Sequence, residues 1–507
     1  MIIPAYVARN ARKYPNQEAV IDGQLRATWQ QLDNDVDRCA RYLVCQYQIS
    51  AGDRVCLVLP NTYTFVVAYF AIQRIGAIVA PINVKLTASE LNYIFTDADA
   101  RLVITCDLTS THALAACRDL GINSLVINQM PEFLASQPIA HTLPPGPSDS
   151  AQDPLQPLAT DAVLTAATLL YTSGTTGRPK GVLFHHQALL FVGMMFATEM
   201  HYGPDSRLLS LMPFTHSAPL NLTLVGGTIM GSTHVIAPTF TPELLLRLVA
   251  QERTTHFFGA PVAYLMTAQH PAIKTADLTS MSHWIYGGGP LAGEHAKQVQ
   301  EAFGSDQFYC VYGLTEAGPT GSFLRPEEHA SKAGSVGRRA AAFTEMRIIN
   351  SDGKIAAVNE PGEIHIGGEG LMLEYWRNPS ATAEVFTSDG WIRTGDIGIR
   401  DQDGYFWVKD RIKDLIICGG VNVYPREVED ALARHPAVLE AAVIGIPHPQ
   451  WGETVKACVV LKADATEADL RAHMSNCLAD YKCPRIYAVM DELPHNANGK
   501  VLKHQLR

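Results

Sequence analysis

The chain has 507 residues, 47% of them hydrophobic and 18% charged, with a formal net charge of -10 at pH 7. That length exceeds one core and suits two or more domains, and the composition excludes a disordered chain. The net negative charge, with no basic run, excludes general affinity for nucleic acid.

In chain order, the first informative segment is Val55 to Val84. It is apolar enough to suggest a membrane span, but Pro60, Asn61, Gln73 and Arg74 interrupt it. It reads as strand (Arg54–Leu59), helix (Thr62–Ile75) and strand (Ala77–Pro81), a unit that predicts a parallel sheet with helices on its faces. The stretch from Pro138 to Pro157, rich in Pro, Ser, Asp and Gln, predicts an exposed connection. An apolar run, Ala162 to Leu170, then leads into Tyr171-Thr-Ser-Gly-Thr-Thr-Gly-Arg-Pro-Lys-Gly181. Helix and strand patterns alternate to about residue 340. From about Arg338 to Val408 short alternating runs (Glu345–Asn350, Gly362–Gly367, Gly390–Thr394, Gly404–Val408) lie between Asp-Gly turns, which predicts β-rich chain. After about Lys409 a small α+β unit is expected. Pro425 opens a helix with acidic residues early and Arg434 at its end, and the strand Ala441–Ile446 follows.

The eleven residues Tyr171–Gly181 hold four aliphatic hydroxyls (Thr172, Ser173, Thr175, Thr176), three glycines (Gly174, Gly177, Gly181) and the cations Arg178 and Lys180. Such a loop turns successive N–H groups toward one anion, the chemistry of a grip for polyphosphate. Composition alone also allows an ordinary polar surface loop. A Walker-type loop needs Gly-Lys adjacent with Ser or Thr next; here Arg-Pro separates Gly177 from Lys180, which argues against that class of hydrolase.

Gln307 to Glu316 is an apolar run ending in Tyr312-Gly313-Leu314-Thr315-Glu316. This suits a ligand crevice at a sheet edge, with Thr315 for a phosphate and Glu316 for Mg²⁺; a helix start is the plainer alternative. Gly287-Gly288-Gly289-Pro290 is either a ledge for a flat ligand or a tight turn. Trp391–Asp396 and Asp410-Arg411 read as turns carrying a carboxylate or a cation, suited to ribose hydroxyls or to Asx-turn structure. Asn496-Ala-Asn-Gly-Lys500 is a loop near the C-terminus.

Taken in order, Tyr171–Gly181, Tyr312–Glu316, Trp391–Asp396, Asp410–Glu429 and Pro494–Lys500 resemble the adenylate-forming superfamily: acyl-CoA synthetases, adenylation domains of peptide synthetases, and luciferases. The likeness runs from about residue 5 to the end. It implies an α/β fold: a large N-terminal domain of doubly wound sheets with a β-rich subdomain (1–409), and a small mobile α+β domain (410–507).

The resemblance also implies site roles. Thr172, Ser173, Gly174, Thr175, Thr176, Gly177 and Lys180 would hold the β- and γ-phosphates of ATP. Gly288, Gly289 and Pro290, with Tyr312 and Gly313, would flank the adenine. Thr315 would meet the α-phosphate, Glu316 the Mg²⁺, and Asp396 and Arg411 the ribose. Lys500 would bridge carboxylate and phosphate while an acyl-adenylate forms and pyrophosphate leaves. Lys413 would be a hinge for the domain swing that brings Gly419 and Gly420 to the pantetheine arm of CoA. Met212-Pro-Phe-Thr-His216 would stand at the acyl pocket, with His216 at its entrance. It carries no carboxylate for an α-ammonium, so a plain carboxylic acid is implied. Leu220–Gly227 and His256–Pro261 would line an apolar pocket for a fatty or cyclic/aryl acid.

Cys418 stands where such ligases usually have Ser, and Gln187 where they often have Asn. Both leave the acceptor open. The first reading is a ligase forming acyl-CoA; the rivals are transfer to an amine or a separate carrier protein, and a non-catalytic nucleotide-binding protein. A monomer or homodimer is expected, without a membrane span. The ten cysteines show no CxxC pair or Cys/His ligand spacing, so free thiols in a reducing compartment are expected, and cytoplasm is the expected location.

Overall fold

A computed structural model describes residues 2–137, 164–172, 178–289, 291, 293–418, 421–494 and 501–506. The chain divides into two compact units: Met1–Met346 with Ile366–Ile392, and Arg347–His365 with Arg393–Arg507. The expected connection between Pro138 and Pro157 lies outside the described residues. The architecture is mixed α/β, as the sequence predicts.

The first unit holds a seven-stranded and a nine-stranded sheet. The strands Arg54–Val58 and Ile78–Pro81 pair in parallel, joined by the helix Tyr63–Ile75. Thr62 caps that helix by accepting from the Phe65 amide, and Gly76 ends it in the left-handed region (φ 86°). Every residue of the helix but Arg74 is buried, so it is an internal helix between layers, not a membrane span. No helix among the described residues is long and apolar enough to cross a membrane. In the seven-stranded sheet Ile78–Pro81 also borders Ala166–Thr172, which turns back as Lys180–His185 and ends at the edge pair Glu374–Tyr375.

The nine-stranded sheet places Arg207–Ser210, His256–Gly259, His283–Gly287 and Phe308–Tyr312 side by side and parallel. Parallel strands buried on both faces read as continuous apolar runs, as Trp284-Ile285-Tyr286 does. Ligands of such sheets gather beyond the carboxyl ends of the strands. Both Gly287 and Tyr312 stand at those ends.

The second unit contains most of a four-stranded sheet, Thr344–Ile349, Gly362–Gly368, Ile392–Arg400 and Phe406–Arg411, and a five-stranded sheet centred on Gly452–Leu461. Pro425 opens the helix Pro425–Ala433, whose Val428, Ala431 and Leu432 are buried. The expected strand Ala441–Ile446 spans Val438–His448. One expectation is corrected. Asp396 and Arg411 do not sit in turns: Asp396 lies within Ile392–Arg400, and Arg411 closes Phe406–Arg411. Gly395 adopts φ 69° inside its strand, so a local turn signal marks an irregularity in a paired strand.

Candidate active site

The Gly/Thr-rich loop connects two antiparallel strands in which Thr172 is paired with Lys180. Thr172 Oγ1 donates to the Lys180 carbonyl at 3.4 Å. The hairpin therefore delivers both motif ends to one place. Ser173, Gly174, Thr175, Thr176 and Gly177 lie outside the described residues. On the exit side the Arg178 guanidinium stands 5.6 Å from the Tyr93 ring centroid, and the Tyr93 hydroxyl donates to Pro179 O at 3.1 Å. The Lys180 ammonium lies 4.9 Å from the ring centroid of Tyr375, within cation–π range.

The strand Phe308–Tyr312 sets the second motif, with Gly287 paired to Val311. At Gly287 an added Cβ would come within 2.9 Å of Val311 O, and Gly288 has φ 80°. The backbone there needs glycine, and Gly289 continues it; Pro290 lies outside the described residues. Tyr312 is half-buried at the strand end. At Gly313 a Cβ would overlap the carbonyl of Pro319. Thr315 opens a single 3-10 turn, Thr315–Ala317, closed by Gly318 at φ 80°. The alternative of a helix start is thus realised as one short turn.

Glu316 occupies that turn, half-buried. Its Oε1 accepts from the Tyr375 hydroxyl at 2.7 Å, and its carbonyl accepts from the Met372 amide at 2.8 Å. Burial, then the adjacent Glu316 carboxylate, push the Tyr375 phenol far above its usual range, so it remains a donor. No group of three or more His, Cys, Asp or Glu among the described residues could hold a metal ion. A single carboxylate still fits Mg²⁺, which commonly binds through one or two carboxylates plus substrate phosphate oxygens and water.

His216 is half-buried, and its amide donates to Pro213 O at 3.0 Å. Asn61 holds the same turn from the other side. Its Nδ2 donates to Met212 O and its Oδ1 accepts from the Phe214 amide, both at 2.8 Å. The chain then enters a π-helix, Ala218–Val225, a rare geometry found mostly at functional sites. Leu220, Leu222, Leu224 and Val225 on it are buried, as is Phe257 on the strand His256–Gly259.

In the second unit, Arg411 Nε lies 2.6 Å from Asp396 Oδ1. The neighbouring Asp410 carboxylate accepts from the Arg411 and Arg426 amides, each at 2.7 Å. Burial nonetheless pushes its pKa up. Lys413 lies in a 3-10 turn, Ile412–Asp414, directly after the strand that ends in Arg411. Gly419, Gly420 and Lys500 lie outside the described residues.

The first unit therefore brings together Thr172, Lys180 and, through Tyr375, Glu316; the second brings together Asp396, Arg411 and Lys413. Sequence reasoning missed Tyr375 and Asn61. For Tyr375 the available signal was Tyr375-Trp376-Arg377-Asn378-Pro379, an aromatic pair just before an Asn-Pro helix start. Asn61 stands in a Pro-Asn-Thr turn after an apolar strand and shows no other mark.

Residues 7–376 match the family model described as AMP-binding enzyme, and residues 427–500 match the AMP-binding enzyme C-terminal domain. A feruloyl-CoA synthase of Amycolatopsis sp is 36% identical over 510 residues, covering 99% of this chain and 98% of that protein. Crystalline ATP-bound MatB from Rhodopseudomonas palustris superposes with a TM-score of 0.87 at 28% identity, covering 100% of this chain and 98% of that one. The amide bond synthetase McbA from Marinactinospora thermotolerans gives a TM-score of 0.85 at 27% identity, covering 100% of this chain and 99% of that one. With both family models in register over a shared fold and motif set, the chain belongs to the AMP-binding enzyme family, in the acyl-CoA synthetase branch of the adenylate-forming enzymes.

Proposed function

We propose that this enzyme joins a carboxylic acid to AMP from ATP, releases pyrophosphate, and passes the acyl group to the thiol of CoA. The observation that carries the reading is the Lys180–Tyr375–Glu316 cluster at the mouth of the Thr172–Lys180 hairpin. It joins a phosphate-binding cation to a carboxylate suited to magnesium, which is what Mg·ATP needs. The likeness to a feruloyl-CoA synthase supports the acid–thiol chemistry.

The residue roles are those implied by the resemblance to adenylate-forming enzymes. Thr172, Ser173, Gly174, Thr175, Thr176, Gly177 and Lys180 take the β- and γ-phosphates. Gly288, Gly289, Pro290, Tyr312 and Gly313 flank the base, and Asp396 accepts from the ribose hydroxyls while Arg411 neutralises it. Thr315 donates to the α-phosphate. Glu316 would hold Mg²⁺, which when bound draws charge from the phosphate oxygens. The acid is already ionised at neutral pH, so no general base is required. Its carboxylate oxygen attacks the α-phosphorus and pyrophosphate leaves. Lys500 lowers the barrier by meeting the negative charge that builds on the α-phosphate oxygens.

A swing of residues 410–507 about Lys413 against residues 1–409 would then withdraw Lys500 and bring Gly419 and Gly420 to the pantetheine arm. The thiolate attacks the acyl carbon and AMP leaves. His216 and the apolar π-helix support a plain, apolar fatty or cyclic/aryl acid. The ten cysteines, all free thiols, suit a cytoplasmic setting.

Transfer to an amine is the second reading, favoured by the likeness to an amide bond synthetase; transfer to a separate carrier protein is its variant. Pyrophosphate release with ATP, Mg²⁺ and a panel of acids tests the first step. Adding CoA, then free amines, then a carrier protein identifies the acceptor. A panel on which no acid elicits pyrophosphate overturns the proposal.

A further inference from the structure

Tyr375 touches two of the charges assigned above while belonging to neither motif. Its hydroxyl donates to Glu316 Oε1 at 2.7 Å, and its ring carries the Lys180 ammonium at 4.9 Å. We propose that Tyr375 is a positioning residue that orients the Glu316 carboxylate for magnesium and holds Lys180 ready for phosphate. The inference rests on the adenylation reading.

A glutamate on a short turn has three free torsions, and ordering it costs rotamer entropy. A charge-assisted hydrogen bond from a fixed phenol removes much of that freedom in advance. The bond occupies Oε1 only. Among the described residues no donor reaches Oε2, which leaves that oxygen as the acceptor for a cation. A phenol hydroxyl ordinarily keeps its proton throughout the neutral range, so the donor stays a donor there.

The tyrosine itself is held firmly. It pairs with Val182 across the edge of the seven-stranded sheet, two residues after Lys180. Its amide donates to Thr382 Oγ1 at 3.0 Å. On either side of it, the Leu373 amide donates to Leu183 O at 2.8 Å and the Trp376 amide to Gly181 O at 2.7 Å. One residue earlier the Met372 amide donates to the Glu316 carbonyl at 2.8 Å. The short segment Met372–Trp376 is thus tied both to the strand that starts at Lys180 and to the turn that carries Glu316. Gly318 closes that turn so tightly that a Cβ would come within 2.6 Å of Gly370 O. The spacing between the phosphate cation and the magnesium carboxylate is therefore set by one segment, and Tyr375 is the side chain that completes it.

Two variants separate the two contacts: Tyr375→Phe removes the hydroxyl and keeps the ring, while Tyr375→Leu removes both. Pyrophosphate release is measured against Mg²⁺, ATP and acid. ATP binding is measured by calorimetry with Mg²⁺ and with EDTA. For Tyr375→Phe the half-saturating Mg²⁺ concentration should rise roughly tenfold, the low end of what losing a partner of a metal ligand costs. The KM for acid and ATP binding in EDTA should not change. Tyr375→Leu should in addition weaken ATP binding in EDTA. In a Glu316→Gln background, Tyr375→Phe should add nothing to the Mg²⁺ dependence. Wild-type Mg²⁺ dependence in Tyr375→Phe overturns the proposal. So does a parallel loss of Mg²⁺ response, acid KM and thermal stability, which marks a merely structural role. If the wild type releases no pyrophosphate with any acid, the adenylation reading fails, while calorimetry with Mg·ATP still decides the role of Tyr375.

Discussion

Arg411 Nε stands 2.6 Å from Asp396 Oδ1, and the two residues are direct partners across antiparallel strands. The Asp396 side chain is 7% exposed and that of Arg411 38%. The aspartate is therefore the committed partner: it cannot turn to water if the guanidinium is lost, whereas Arg411 can. A carboxylate accepts hydrogen bonds through both of its oxygens, the chemistry a ribose diol needs.

Asp396→Ala should raise the ATP KM by about 10- to 100-fold, since hydrogen bonds to a charged group are worth about 1.5–3 kcal/mol. The acid KM should stay within about twofold. Initial rates of pyrophosphate release against ATP check this, and an unchanged ATP KM removes Asp396 from the nucleotide site.

Lys500→Ala should slow adenylate formation by on the order of 10²–10³, the usual cost of one electrostatic partner of the transition state. Thioester formation from supplied acyl-AMP and CoA should persist. Both half-reactions are followed separately, by pyrophosphate and by free thiol; equal loss in both contradicts the assigned role.

Lys413→Pro should spare adenylation and block overall turnover. Proline fixes φ and removes an N–H, so the Ile412–Asp414 turn could no longer serve as a pivot. A burst of one pyrophosphate per enzyme followed by arrest is the expected trace. Normal steady-state acyl-CoA production would rule out the hinge.

Acid should destabilise the first unit over a defined range. Burial pushes His186, His234 and His256 down from 6.5 to about 3, with neighbouring His185 and His283 adding to the shift at His186 and His256. These groups bind protons more readily when unfolded. Their contribution is present in full above about pH 6.5 and is lost as pH falls toward 3. Urea unfolding midpoints should therefore decline steadily below pH 6.5. His234→Gln should flatten that decline, and a pH-independent midpoint would contradict the buried neutral state.

What was legible in the sequence was local. The apolar run leading to Tyr171 was legible, although its antiparallel pairing with Lys180–His185 was not, and the helix at Pro425 follows from its own first turn. The Asp396 strand was obscured by Gly395, whose left-handed backbone gives a turn signal inside a paired strand. The π-helix Ala218–Val225 was invisible for a different reason: an apolar run is the same whether its hydrogen bonds close at four residues or five. Tyr375 lies 59 residues from Glu316, and Asn61 lies 153 residues from Phe214. No spacing rule reaches across such separations; only the folded sheets bring these pairs together.

Asn61 has a consequence for substrate range. It follows a strand of the seven-stranded sheet, whereas Met212 and Phe214 follow a strand of the nine-stranded sheet. One carboxamide thus stitches the two layers at the seam beside His216. Under the proposed placing of His216 at the acyl entrance, resizing residue 61 is expected to move the Met212–His216 turn and, with it, the acid preference.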